Sequence, residues 1–191
     1  MNRVVITGAG TINALGATVP ETLQAMREGR LGIGPLHMRD LDRLSVKIGA
    51  QIKDFDPEIY FDRQKLALYD RVTQLTLMAS REAMGQSGLE ITDELSDSTG
   101  VVLGTAAGGM NTWDDNFRSV YEDGKNRVHP FVVPKLMNNA AASHLSMAYN
   151  MKGPSLTPRP GGILGHCILG PPHPLQIAIA RTVAAPLLMA P

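Results

Sequence analysis

Few residues in this chain are of types that do covalent or metal chemistry. Cys167 is the one cysteine, and the histidines are His37, His129, His144, His166 and His173. A thiol becomes a nucleophile when its pKa is lowered, most often at a helix N-terminus. Gly170-Pro171-Pro172 follows Cys167 closely and blocks such a helix. No two histidines have His-x-x-x-His spacing. Cys167 with His166 and His173 gives three donors inside a proline-rich stretch, short of a closed tetrahedral set, so no metal site is expected. Two glycine-rich turns remain. In Gly8-Ala9-Gly10-Thr11-Ile12-Asn13, a dinucleotide fingerprint would need glycine where Asn13 stands and an acid about 20 positions further on. A tight strand-to-helix turn is the expected role. Gly104-Thr105-Ala106-Ala107-Gly108-Gly109 lacks the Gly-Lys-Ser/Thr of a phosphate loop. It reads either as a turn where backbone comes close to a neighbour or as a pocket wall at the C-terminal end of a strand.

The elements that position these turns follow from periodicity. Arg3–Thr7 is β-branched and apolar, which predicts a short buried strand ended by the Gly8-Ala9-Gly10 turn. Thr18-Val19-Pro20-Glu21 has capping-box spacing, so a helix should start there, turn Leu23 and Met26 inward, and stop at Gly29. Val46–Lys53 alternates weakly, as an edge strand does, and 54–62 reads as a loop with one helical turn. Between Asp70 and Ser87, apolar residues at 72, 75, 78/79 and 83 predict the clearest helix, closed by Gly88. Gly100–Gly104 predicts a second buried strand. Helices are expected over 112–121, stopped by Gly124, and over 139–149, with Ala142, Leu145 and Ala148/Tyr149 inward. This alternation is that of a layered α/β domain.

Composition narrows the class. The 191 residues carry 18 basic and 18 acidic side chains, which argues against a nucleic-acid surface or polybasic membrane patch. No apolar run is long enough to span a bilayer, because Gln176, Arg181 and Pro186 interrupt the stretch 175–189. A single cysteine allows no internal disulfide, and a reducing, cytoplasmic compartment is expected. Seven of the 13 prolines lie from Pro158 onward, so 158–174 is read as loop.

Several stretches, in order, resemble the elongating β-ketoacyl-acyl-carrier-protein synthases, the thiolase-like condensing enzymes. They are Arg3-Val4-Val5-Ile6-Thr7-Gly8-Ala9-Gly10 with Leu15-Gly16, Gly29–Pro35, Lys53-Asp54-Phe55-Asp56-Pro57, and Tyr69–Gln74 with Arg81-Glu82-Ala83-Met84 and Ser87-Gly88-Leu89. Gly104–Gly109, His129-Pro130-Phe131-Val132-Val133-Pro134 and Lys152-Gly153-Pro154-Ser155-Leu156-Thr157 complete the series. The resemblance implies a thiolase-like layered α/β fold, here the N-terminal half only, with residues 1–157 as an incomplete synthase domain and 158–191 as an aberrant tail. Half of such a fold is expected to expose apolar surface and to aggregate.

The resemblance also implies a chemistry. A cysteine at the start of a buried helix accepts an acyl group from acyl carrier protein as a thioester, and the helix dipole favours its thiolate. Two histidines and a lysine then support decarboxylation of a malonyl thioester, whose enolate makes the carbon–carbon bond. No metal or soluble cofactor takes part, because the phosphopantetheine belongs to the carrier. The partners implied are acyl carrier protein, acyl thioesters and a second copy in a homodimer. Substrate-side positions carried over are Ala107, where the family gates its acyl pocket, and Val132, where the dimer partner lends a side chain, with Gly108 and Phe131 beside them. Ala107 and Val132 are small, which implies a roomier acyl tunnel.

The nucleophile position falls on Gly162, and Cys167 is five residues late, without the Thr-Ala before it or Ser after it that the motif carries. The chain as given is therefore expected to be inactive. Codons for Gly162-Ile163-Leu164-Gly165 read one base later can spell Ala-Ser-Ser, and Ala184–Ala190 again resembles the family's next strand. A reading-frame disturbance from about Pro158 accounts for both; a natural insertion is the other account. Two other functions are weighed beside the condensing enzyme. One is a non-catalytic partner of the chain-length-factor type, against which the proline-rich tail counts. The other is a nucleotide-binding oxidoreductase domain, which Asn13 disfavours.

Overall fold

The computed structural model describes residues 5–158 and, for 176–181 and 184–190, the backbone. The readings at Gly162, Cys167 and residues 159–174 lie outside the described residues.

The longest element, α3 (Arg71–Ser87), sets the frame. Asp70 caps it by accepting from the Val72 N–H at 3.2 Å, and Gly88 ends it at φ 62°, as the sequence predicts. The buried side of α3 differs from the predicted one. Thr73, Gln74, Thr76, Leu77, Ala79, Ser80 and Ala83 are buried, while Val72, Leu75 and Met78 are only partly so. Small polar residues are admitted because their hydroxyls bond back along the helix: Thr76 donates to the Val72 carbonyl at 2.8 Å and Ser80 to that of Thr76 at 2.7 Å.

Strand β1 (Val5–Ala9) lies against this side. It runs through Gly8 and Ala9, which the sequence reading gave to a turn, and Val5 and Ile6 are exposed rather than buried. The contact with α3 is made by glycine. A Cβ on Gly8 or Gly10 would overlap the carbonyl oxygens of Ala83 and Ala79, so the helix backbone fills the space a side chain would need. Side chains of α3 then fasten the turn. Gln86 accepts from the Ala9 N–H at 2.6 Å, and Glu82 accepts from Thr11 N–H and Val19 N–H, both at 2.8 Å.

The second of those bonds fixes the start of α1 (Val19–Arg27), which is capped by Thr18. Glu21 completes the first turn by accepting from Ala17 N–H at 2.8 Å. The expected inward face is corrected: Leu23 and Met26 are exposed, and Ala25 is the buried residue. A short side chain lets the helix backbone sit close, which leucine in that place would prevent. Beyond it, β2 (Ile33–Pro35) and β3 (Ile48–Ala50) form a separate antiparallel pair, β3 falling within the predicted edge strand. Leu31, Ile33, Val46 and Ile48 around this pair are exposed.

After a 3-10 turn at Pro57–Ile59 come α2 (Arg63–Leu68), then, past α3, α4 (Asp93–Ser98). Strand β4 (Thr99–Gly104) is buried along its whole length, as a central parallel strand should be. Val101 and Leu103 join Leu77, Ala141, Ala142, Leu145 and both Phe55 and Phe61 in the main core. Leu103 is fully buried, which is worth about 1.5–3 kcal/mol relative to exposure.

The chain continues through α5 (Met110–Tyr121), α6 (Val132–Leu136), α7 (Ala140–Ala148) and β5 (Ser155–Leu156). In α7, Ala142 and Leu145 point inward as expected, but Ala148 is exposed. Strands β6 (Gln176–Arg181) and β7 (Ala184–Ala190) complete a five-stranded sheet in the order β1-β7-β6-β4-β5. The pairs β6–β4 and β4–β5 are parallel; β1–β7 and β7–β6 are antiparallel. Among the described residues, no helix is long and apolar enough to cross a membrane.

His144 of α7 packs on Tyr69, ring centroids 4.6 Å apart, and Tyr69 packs edge-on against Phe61. Burial pushes the His144 pKa below its ordinary 6.5. The unfolded chain therefore binds this proton more readily than the folded one. Stability is full above pH 6.5 and falls as pH descends through 6.5 towards the lower folded value. Melting temperature should drop across that window, and His144→Phe should flatten the drop. An equal slope in both proteins would show that His144 is not its source.

Candidate functional site

The candidate site starts where β4 ends. Thr105 is buried, and its hydroxyl accepts from the Gly108 N–H at 3.3 Å, which curls residues 105–108 into a tight turn. Gly108 has φ 63°, and a Cβ there would lie 2.7 Å from the Leu136 carbonyl oxygen, so both backbone shape and space call for glycine. The Gly109 N–H donates to that same Leu136 carbonyl at 3.1 Å. The turn is thus bonded directly to α6.

The start of α5 is held from below. Asp70, 4% exposed, accepts from both the N–H and the hydroxyl of Thr112, at 2.8 and 2.6 Å. One carboxylate therefore caps α3 with one oxygen and anchors α5 with the other. On the far side of α5, Arg118 pairs with Asp40 at 2.7 Å and Asp114 at 3.0 Å, and these carboxylates raise its pKa.

The segment after α5 folds back over it. His129 shapes the approach to α6: its carbonyl accepts from Val132 N–H at 2.9 Å and its Nδ1 from Phe131 N–H at 3.2 Å. Pro134 sits within the first turn of α6, where a missing N–H costs nothing. Between α5 and α6 lies an open groove of about 220 Å³, lined by Trp113, Asn116, Phe117, Val120, Tyr121, Val128, Val132 and Leu136.

The four substrate-side positions read from the sequence fall as follows. Ala107 is exposed at the turn, and Gly108 packs on α6. Phe131 is half exposed and stacks on His129, and Val132 lines the groove. Both segments thus border one region, joined through Gly109 and Leu136. The aromatic face of α5 was missed. Trp113, Phe117 and Tyr121 recur every fourth residue, with successive ring centroids 4.9 and 5.8 Å apart. That spacing was present in the sequence, inside a helix already predicted. Among the described residues, no group of three or more His, Cys, Asp or Glu could hold a metal.

The family described as "Beta-ketoacyl synthase, N-terminal domain" matches residues 1–159. The chain belongs to the β-ketoacyl synthase family. A 3-oxoacyl-acyl-carrier-protein synthase 2 of Coxiella burnetii is 32% identical over 155 residues, 81% of this chain and 37% of the relative. Nodulation protein E of a Rhizobium species is 38% identical over 152 residues, 80% of this chain and 38% of its own. The crystal structure of a β-ketoacyl synthase from Burkholderia phymatum superposes with a TM-score of 0.67 at 26% identity, over 82% of this chain and 39% of that one. The fold is thus the thiolase-like α/β fold of the β-ketoacyl synthases, and the chain spans less than two-fifths of the length of these curated relatives.

Proposed function

We propose that this chain is the amino-terminal part of a condensing acyltransferase of the 3-oxoacyl-acyl-carrier-protein synthase type. Its reaction is the decarboxylative Claisen condensation of an acyl thioester with a malonyl thioester. The observation that carries this is the family match over residues 1–159, which includes the Gly104–Gly109 turn with α5 and α6. The turn's seat on α6, with Ala107 and Val132 both small, supports a substrate wall on this side. The reading brings acyl carrier protein and acyl thioesters as partners, a homodimer, a cytoplasmic setting, and no cofactor beyond the phosphopantetheine the carrier brings.

Catalysis by the sequence as it stands is not part of the proposal. Thioester formation needs a nucleophile, and the matching position, Gly162, has no side chain to attack with. A frame disturbance near Pro158 accounts for this most simply. Gly162 is also what favours a second reading, a non-catalytic subunit paired with an active synthase. Translating the coding DNA from codon 150 to beyond codon 191 in three frames separates the two. Thr-Ala-Cys followed by Ser or Ala in a neighbouring frame is expected. The corrected protein should then release β-ketoacyl product from acyl and malonyl carrier protein. A clean frame, and no product from the chain, would overturn the catalytic reading in favour of the subunit.

A further inference from the structure

No residue from Met26 to Asp54 is buried. The span is nonetheless ordered, because it contains the β2–β3 ribbon and, at its far end, a 3-10 turn at Leu41–Arg43. Its bracing is internal. Gln51 donates to the His37 carbonyl at 2.9 Å and accepts from the His37 N–H at 2.8 Å, and the Leu36 N–H donates to the Lys47 carbonyl at 3.0 Å. What ties the ribbon to the body is charge. Arg39 donates to Asp115 at 2.9 Å, and Asp40 accepts from Arg118 at 2.7 Å, both partners lying on α5. Among the described residues, no other side-chain hydrogen bond or ion pair leaves residues 33–51.

The two ends of the span differ. At the exit, Arg71 of α3 donates to the Ile52 carbonyl at 3.2 Å, and the Ile52 side chain packs on the core. At the entry, Gly29 has φ 65°, and a Cβ there would meet nothing within 4 Å, so this joint is neither packed nor sterically confined. A few such positions are what a hinge needs. The receiving side is prepared in advance. Asp114 and Glu122 hold Arg118 at 3.0 and 3.3 Å along its own helix, which aims the guanidinium before Asp40 meets it. Asp40 itself has φ 54°, a left-handed backbone that persists in an L-residue only where neighbouring contacts hold it.

We propose that the β2–β3 ribbon is a hinged arm, latched to α5 by the Arg39–Asp115 and Arg118–Asp40 pairs, and that rising ionic strength releases it as one body about Gly29. Exposed ion pairs are individually weak and screened by salt, which is what a reversible latch requires. Release frees the outer side of α5, the helix whose other side lines the groove against α6. The latch works whether or not the chain is catalytic.

Trp113, the only tryptophan, lies on α5 and serves as an energy-transfer donor. A dansyl group on Val46→Cys, in the Cys167→Ser chain, places the acceptor on the arm, at an exposed residue that takes no part in the latch. Lifetime-resolved transfer then counts closed and open arms. Raising sodium chloride from about 0.02 M to about 0.5 M should raise the open-to-closed ratio about three- to tenfold, with circular dichroism unchanged. Asp40→Asn removes the charge but suits the same left-handed backbone. Combined with Arg39→Met, it should give the open distribution at low salt, with no further response. Should that double variant fail to melt cooperatively, Arg39→Asp carries the test. Alone it should open the arm, and with Asp115→Arg it should close it again.

Transfer that ignores salt in the parent chain would overturn the latch. So would a double variant that responds to salt as the parent does, or an Asp115→Arg change that restores nothing to Arg39→Asp. Loss of transfer that follows protein concentration instead of salt would mean that a second copy displaces the arm, and would overturn it as well.

Discussion

Asp70→Ala is expected to cost about 2–5 kcal/mol of folding stability, a large fraction of the roughly 5–15 kcal/mol a folded domain has to lose. The carboxylate serves two helices. With one oxygen it caps α3, and loss of such a cap costs about 1–2 kcal/mol. With the other it accepts both donors of Thr112, which are buried and would be left without a partner at roughly 1–3 kcal/mol. Urea unfolding followed by circular dichroism measures the sum. Thr112→Val removes only the hydroxyl bond, so it should cost less, and the double variant should cost less than the two singles added, because they share one interaction. A loss below about 1 kcal/mol for Asp70→Ala would mean that water replaces both bonds.

Gly10→Val should be at least as damaging, because the site cannot relax. The added Cβ would overlap the Ala79 carbonyl oxygen and lie 2.8 Å from the Ala83 nitrogen, both backbone atoms of α3. Moving α3 away would break the Glu82 bonds to Thr11 and Val19 and the Gln86 bond to Ala9. Overpacking of this kind costs about 1–3 kcal/mol where side chains can yield, and more where backbone meets backbone. The expected outcome is loss of cooperative melting. Gly10→Ala tests the same contact with one methyl group, and a melting temperature within a few degrees of the parent would refute the close approach. The packing also gives the Gly8-Ala9-Gly10 turn a physical reason. Its glycines, Gly8 and Gly10, face helix carbonyls.

How much of this could be read beforehand depends on the residue. Gly88 closes α3 by local chemistry alone, and the five residues Gly100–Gly104 read as buried because both their faces are apolar or small, β4 starting one residue earlier at Thr99. The stops at Gly29 and Gly124 were legible in the same way. Of the short elements, β3 and the turn at Pro57–Ile59 were legible, and β2 and α6 were not. In β2, Ile33 and Pro35 flank Gly34 and look like turn residues until β3 pairs with them. In α6, Pro134 masks a five-residue helix whose stability comes from packing on the Gly108–Gly109 turn. The inward face of α3 was read in part: Ala79 and Ala83 are buried as expected, but Thr73, Thr76 and Ser80 do not look like core residues, although back-bonded hydroxyls and glycine neighbours make them so. Resemblance located the 104–109 and 129–134 segments of the candidate site. Their meeting through Leu136 is a tertiary contact that no local pattern encodes.

The strand order carries a kinetic consequence. Among the described residues, β1 is not a sheet neighbour of β4; it joins the sheet through β7, where Val5 pairs with Ala190. On a ribosome, β1 must wait for β7, roughly 180 residues later, to emerge before its edge is closed. Until then α3 is its main support, and the β1 edge is open to any extended peptide nearby. Sheets closed by such distant partners fold slowly, because the loop entropy is spent before the pairing repays it. Refolding should therefore be limited by docking of the β6–β7 hairpin between β4 and β1, while the α3–α7 layer forms early.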